Sequence, residues 1–244
     1  MSGGRQGPEV DGPDAGGRQF HERLADAVRE LEAAHQVDLT LQRIVDLAAH
    51  LIDGEVRVAV CIVRHDHTVE TPAASHEDAR RADLLQYELG EGPCLSAIRD
   101  REVLQIDDLA TDDRFPGWSG AVVEQTGVHS SLSFRLFTAD GVLGALNFYA
   151  PQPHAFDEEI RGEGFLFAAQ AAVTLQAAQR EENLRTALLT RSVISQAQGI
   201  LMERFHISAQ QAFQLLSRVS QAEQVKIRDL ATRVVETRQT PGRP

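Results

Sequence analysis

The chain has 244 residues, with 24 Lys or Arg against 36 Asp or Glu and a hydrophobic fraction of 42%. That length exceeds one minimal domain, and that composition is ordinary for a globular chain, not for a disordered or fibrous one. Two cysteines exclude a disulfide framework and have no metal-site spacing, and aliphatic runs such as 58–63 are too short to cross a bilayer.

Residues 1–17 are Gly, Pro and polar and read as a disordered leader. They hold no apolar run after a basic start, so no secretory signal is expected, and a cytoplasmic location with reduced thiols follows. Phe20, Leu24, Ala27, Val28 and Leu31 recur on one helical face. A second helix is expected from an N-cap at Thr40, burying Leu41, Ile44, Val45, Ala48 and Ile52 and stopping at Asp53-Gly54.

Val56 to Val63 is a buried strand that turns at His65-Asp66-His67 into a short strand near Val69. A helix over 78–87 leads to the rigid turn Gly90-Glu91-Gly92-Pro93-Cys94 and another short helix. A strand is expected at 103–106, a helix at 118–126 ended by Gly127, and a hairpin of 131–137 with 142–149 around Ala139-Asp140-Gly141. Locally paired strands broken by helices indicate an α+β domain on an antiparallel sheet. After Pro151 and Pro153, Asp157 caps a long helix whose Phe165, Ala168, Ala172 and Leu175 share one side. That small-residue surface suits either a helix pair between two copies or packing on the chain's own sheet.

From Arg180 onward the charge balance reverses, with ten basic against six acidic residues after 14 against 30 before it. A basic helical module on an acidic body points to a polyanion. Its first helix, 185–205, spaces Leu184, Leu188, Ile194, Ala197, Leu201 and Phe205 towards a small core. Gly199 in mid-helix costs about 1 kcal/mol against alanine, so close helix packing or a close ligand backbone is expected to offset it. Ser208 is read as the N-cap of the second helix, with Ala212, Leu215 and Leu216 inward; Val225, Ile227, Leu230, Ala231, Val234 and Val235 mark the third.

Arg191, Ile194, the run Gln196-Ala197-Gln198-Gly199-Ile200-Leu201-Met202, then Ile207-Ser208, Ala212-Phe213, Leu216, Ser220, Lys226 and Leu230-Ala231 closely resemble the ANTAR domain. Residues 36–178 resemble a GAF domain in Gly90 to Cys94, Asp107-Asp108-Leu109, Asp113 to Pro116, Gly127-Val128, Ser131 and Gly144 to Ala150. The resemblance implies an α+β sensory domain over 18–178, an all-α three-helix RNA-binding domain over 179–237 and a short tail, 238–244. It implies a transcription antitermination regulator, usually dimeric, that binds paired hairpins in nascent mRNA. A homodimer is expected, and a small molecule in the GAF cup is possible in kind but not named by any motif, so the cofactor stays unknown.

The polar groups assigned to the RNA surface are Arg191, Gln196, Arg204, Arg218, Ser220, Lys226 and Arg228, with Arg191 and Gln196 read as sharing a side of the first helix. Of these, Arg191, Gln196, Ser220 and Lys226 coincide with the family pattern, while the other three rest on charge. Cys94, after the Gly-Glu-Gly-Pro turn, is the candidate ligand or redox thiol, with a lowered pKa expected at a helix start; the competing reading is a small apolar residue. No enzyme activity is expected: Cys61 sits mid-strand, which disfavours a reductase built on the two thiols, and Asp107, Asp108, Asp112 and Asp113 have no histidine at a motif spacing. The alternatives are DNA binding, which the apolar third helix disfavours, and a ligand or redox sensor acting through protein contacts.

Overall fold

The computed structural model describes residues 15–32, 36–52 and 54–238. The expected leader up to Asp14, the Asp53 stop, the side chain of Phe20 and the tail after Arg238 lie outside the described residues. The chain divides into two compact units, Met1–Gln179 and Arg180–Pro244, taken in turn.

In the first unit, helices α1 (Ala15–Glu32) and α2 (Val37–Leu51) precede strands β1 (Arg57–Val63) and β2 (Val69–Ala74). Helices α3 (Glu77–Leu89) and α4 (Pro93–Arg99), strand β3 (Val103–Ile106), helix α5 (Pro116–Thr126) and strands β4 (Ser130–Thr138) and β5 (Gly141–Ala150) follow. Helix α6 (Glu158–Phe205) begins here. Two sequence expectations need correction. Ala15–Gly17, assigned to the leader, form the first turn of α1, because helical hydrogen bonding reaches a turn beyond the first apolar position. Thr40 is no cap: α2 starts three residues earlier after Gln36, and the buried Thr40 hydroxyl donates to the Gln36 carbonyl at 2.9 Å. A threonine can satisfy itself on a carbonyl four residues back and so mimic a cap in sequence.

The sheet runs β2-β1-β5-β4-β3, and every neighbouring pair is antiparallel. Strand alternation sorts its residues onto two unlike faces. One face carries Val58, Val60, Ile62, Leu132, Phe134, Leu136, Leu146 and Phe148, packed with α1, α2 and the start of α6 into the main core. The alanine-rich part of α6 belongs to this core through Ala168, Ala171, Ala172 and Leu175. Its small-residue surface is therefore spent on the chain's own sheet. Phe165, assigned to the same side, is 39% exposed, and Phe167 is buried instead.

The opposite face is built of small or polar residues: Ala59, Cys61, Ser131, Ser133, Ala145 and Asn147, with Tyr149. Helices α3 and α5 cover it with Ala79, Ala82, Leu85, Trp118 and Val122. Small strand residues leave a hollow there that polar groups of α3 fill.

In the second unit, α6 ends at Phe205, and α7 (Ala209–Glu223) and α8 (Ile227–Thr237) complete three helices. Ser208 caps α7 with a full capping box: its hydroxyl accepts from Gln211 N, and the Gln211 side chain accepts from Ser208 N. Ala197, Leu201, Ala212, Leu216, Leu230, Ala231 and Val234 form the core. Leu184 and Leu188, expected in that core, are instead 66% and 67% exposed, and Leu189 is 64% exposed. A three-helix core of this size closes above Val193, leaving the preceding two turns with no covering element in the unit.

Candidate RNA surface and sensory site

The second unit presents Arg191, Gln196, Arg204, Arg218, Lys226 and Arg228 on its exterior. Among the described residues, Arg191, Arg218 and Lys226 have no ion pair, so their charges are available to an external anion. Lys226 is the N-cap of α8, held by its own carbonyl, which accepts from Leu230 N at 3.1 Å. Arg228 pairs with Asp229 at 3.2 Å, and Arg204 donates to the Arg238 carbonyl at 2.5 Å. Ser220 is half-buried, and its hydroxyl donates to the Val225 carbonyl at 2.6 Å, tying off the α7–α8 turn where Gln224 is left-handed. Its hydrogen is committed to the chain itself. Arg191 and Gln196 do not share a side, since five residues of α-helix turn through about 140°.

Gly199 is corrected as well. It is exposed, and a Cβ added there would meet nothing within 4 Å, so no packing among the described residues offsets its helical cost. Ala197 and Ala212, by contrast, are fully buried. Gly199→Ala is expected to stabilise the second unit by about 1 kcal/mol in denaturant unfolding. An unchanged or lowered stability would show that the glycine is needed by the fold.

In the first unit, buried polar and sulfur groups converge on the small-residue face. Asp83 of α3 is fully buried. It accepts from the Tyr149 hydroxyl at 2.5 Å, Asn147 Nδ2 at 3.0 Å and the Thr71 hydroxyl at 2.8 Å. Burial raises its carboxyl from the ordinary 3.8 to about 6, against these hydrogen bonds, which lower it. Burial likewise pushes the Tyr149 phenol up. Beside this network Cys61 Sγ and Cys94 Sγ lie 2.8 Å apart, both fully buried. The Cys94 thiol is pushed up by burial and then by its contact with Cys61, which reverses the lowered pKa expected at a helix start. Ser131 Oγ, Ser133 Oγ and Asn147 Oδ1 on this face are buried without a partner among the described residues.

The Gly90–Cys94 turn is what assembles the site. Gly90 closes α3 in the left-handed region, and the Glu91 carboxylate accepts from Trp118 N at 2.8 Å. Gly92 has φ 144°, and a Cβ there would fall 2.3 Å from the Gln86 Oε1 that accepts from Cys94 N at 2.7 Å. Sequence alone assigned no role to Asp83, Gln86, Asn147, Tyr149 or Thr71, although Asn147 and Tyr149 lie in the Gly144–Ala150 run that carries the GAF resemblance. The available signal was Asp83 itself, a carboxylate on the buried α3 face with Ala79, Ala82 and Gln86. His65 and His67 sit on the exposed hairpin turn, and no group of three metal-ligating side chains occurs among the described residues.

A GAF domain family model matches residues 34–176, and an ANTAR domain model matches residues 182–235. The chain belongs to the GAF family. It carries a GAF domain followed by an ANTAR domain, the pair of a signal-regulated antitermination regulator. The GAF domain of an Acinetobacter phosphoenolpyruvate-protein phosphotransferase is similar in fold, with TM-score 0.53 and 16% identity over 68% of this chain and 98% of that one. So is fRMsr of Staphylococcus aureus in its reduced form, with TM-score 0.52 and 16% identity over 64% of this chain and 94% of that one. The photosensory core module of a Stigmatella aurantiaca phytochrome gives TM-score 0.57 and 13% identity over 88% of this chain, which spans 46% of it. No curated protein sequence matches the chain. Among the described residues, no helix is long and apolar enough to cross a membrane.

Proposed function

We propose that the protein is a cytoplasmic, signal-responsive regulator that binds paired RNA hairpins in nascent transcripts through its ANTAR domain, and that it is not an enzyme. The observation that carries this reading is that Arg191, Arg218 and Lys226, on the ANTAR exterior, have no ion pair among the described residues. Unpaired surface cations can release phosphate counterions on binding without first breaking an internal ion pair. Gln196 supplies an exposed amide for a base edge, while Arg204 and Arg228 add charge at the margin. Gly199 offers bare backbone where an RNA strand can approach closely. The DNA-binding alternative is disfavoured because the exposed cations of α8, Arg228 and Arg233, are held in ion pairs with Asp229 and Glu223.

A homodimer fits the exposed Leu184, Leu188 and Leu189, three leucines on two adjacent turns of α6 that nothing in their unit covers. The three unpartnered oxygens on the GAF face suit a small polar ligand or ordered water. Because α6 carries residues of both units, it is the element through which a GAF signal would reach the ANTAR domain.

Binding of the full chain to a paired-hairpin RNA and to duplex DNA across a salt series tests the reading. Arg191→Ala and Lys226→Ala are each expected to lower RNA affinity roughly tenfold and to flatten the salt slope. Unchanged hairpin affinity in both variants removes the proposed surface, and preference for duplex DNA removes the RNA reading.

A further inference from the structure

The chain has only two cysteines, 33 residues apart in sequence, and the fold brings their sulfurs to 2.8 Å. One stands in mid-β1 and the other in the first turn of α4, so the contact joins the sheet to a covering helix. No atom lies between them, and closing to a disulfide bond of about 2.05 Å requires less than about 1 Å of movement. Neither sulfur serves another strong role. Cys61 Sγ reaches the Ala145 carbonyl at 3.5 Å and lies 4.0 Å from Asn147 Nδ2, both weak contacts. The half-buried Val69, Tyr87 and Ile98 pack against the pair.

We propose that Cys61 and Cys94 form a two-electron modification site, in which a hydroperoxide converts the thiol pair to an intramolecular disulfide. One cysteine, as thiolate, attacks a peroxide oxygen; the O–O bond breaks, hydroxide leaves and takes up a proton, and a sulfenic acid forms. The second sulfur, already in contact, then attacks the sulfenic sulfur and expels its oxygen as water. With hydrogen peroxide the balance is two thiols and one peroxide giving one disulfide and two waters. The sulfurs are oxidised by two electrons, and the peroxide is reduced by two. A low-molecular-weight dithiol reverses the change by exchange through a mixed disulfide.

Contact between the sulfurs decides the product. Condensation within the pair is intramolecular, whereas oxidation to sulfinic acid needs a second peroxide to arrive, so disulfide is favoured. Burial decides the rate. It holds the Cys94 thiol protonated, which makes the first step slow at neutral pH and faster as pH rises. The site therefore registers sustained exposure to oxidant and ignores brief pulses.

The test uses the full-length chain, exposed to hydrogen peroxide at neutral and at mildly alkaline pH, then denatured, alkylated with iodoacetamide and weighed intact. The expected product is a monomer lighter by two hydrogens with neither thiol alkylated, formed faster at the higher pH and restored by dithiothreitol. In Cys61→Ala or Cys94→Ala the remaining thiol is expected to stay alkylatable or to gain oxygen atoms, with no product lighter by two hydrogens. The proposal is overturned if the wild type gains oxygens instead of losing hydrogens, forms only intermolecular disulfides, or keeps both thiols through prolonged exposure at the higher pH. The wild-type masses stand whether or not the variants fold.

Discussion

Asp83→Ala is expected to destabilise the GAF domain by roughly 3 kcal/mol at neutral pH. The substitution strands two buried donors, the Tyr149 hydroxyl and Asn147 Nδ2, each costing about 1–3 kcal/mol when unsatisfied, while the Thr71 hydroxyl keeps the Tyr87 hydroxyl at 2.7 Å. Against that, it removes a charge whose burial raises the carboxyl pKa from 3.8 to about 6, a shift worth on the order of 3 kcal/mol. The two stranded donors and the cavity left by the carboxyl together outweigh the one charge. Asp83→Asn isolates the electrostatic part. A carboxyl with a raised folded pKa binds its proton more tightly in the native state than in the unfolded chain. Its contribution is therefore greatest below about pH 4 and is lost as pH rises through about 6. Urea unfolding at several pH values is expected to show wild-type stability falling across that window relative to Asp83→Asn. A flat difference would mean that Asp83 is solvated in the folded protein.

Gly144→Ala is expected to cost more, about 4 kcal/mol or outright loss of the folded GAF domain. A Cβ at Gly144 would lie 1.8 Å from the Cys61 carbonyl oxygen and 2.8 Å from its carbon. Those atoms are backbone of the paired strand β1, so no rotamer change relieves the overlap, and β1 and β5 must separate. The same substitution at Gly199 has the opposite sign, because there the new methyl meets open space and helix propensity alone decides. Far-ultraviolet circular dichroism and denaturant unfolding of the two variants side by side check both signs. A stable, sheet-intact Gly144→Ala would show that the strands have slack that the structure does not contain.

Much of the fold is legible in the chain because its local signals agree. The 103–106 strand, the Gly127 stop and the hairpin turn at 139–141 need only strand patterning and turn chemistry, and each lies where expected. Ser208 reads correctly because a capping box is a local device, complete within four residues. The family resemblance was equally local, carried by Gly90 to Cys94 and Gln196 to Met202, and both family matches fall on it.

The failures share a different cause. Leu184 and Leu188 have helical periodicity, but periodicity says that a face is apolar and not what covers it. Thr40 has the chemistry of a cap and uses it inside the helix. Gly199 announces a cost without revealing whether a neighbour or open space explains it.

The buried polar cluster of the GAF domain is the clearest division. The sequence by itself determined an antiparallel α+β domain followed by a basic three-helix module, its family, and the cations that module exposes, since these follow from periodicity, caps and motif spacing along the chain. Only the tertiary structure decided that Asp83 is a buried carboxylate ringed by donors and that Cys61 touches Cys94. Those contacts join α3 and α4 to β1 and β5 across dozens of residues. Their energies come from burial and hydrogen bonding between elements, terms that do not exist until the sheet has closed against its helices.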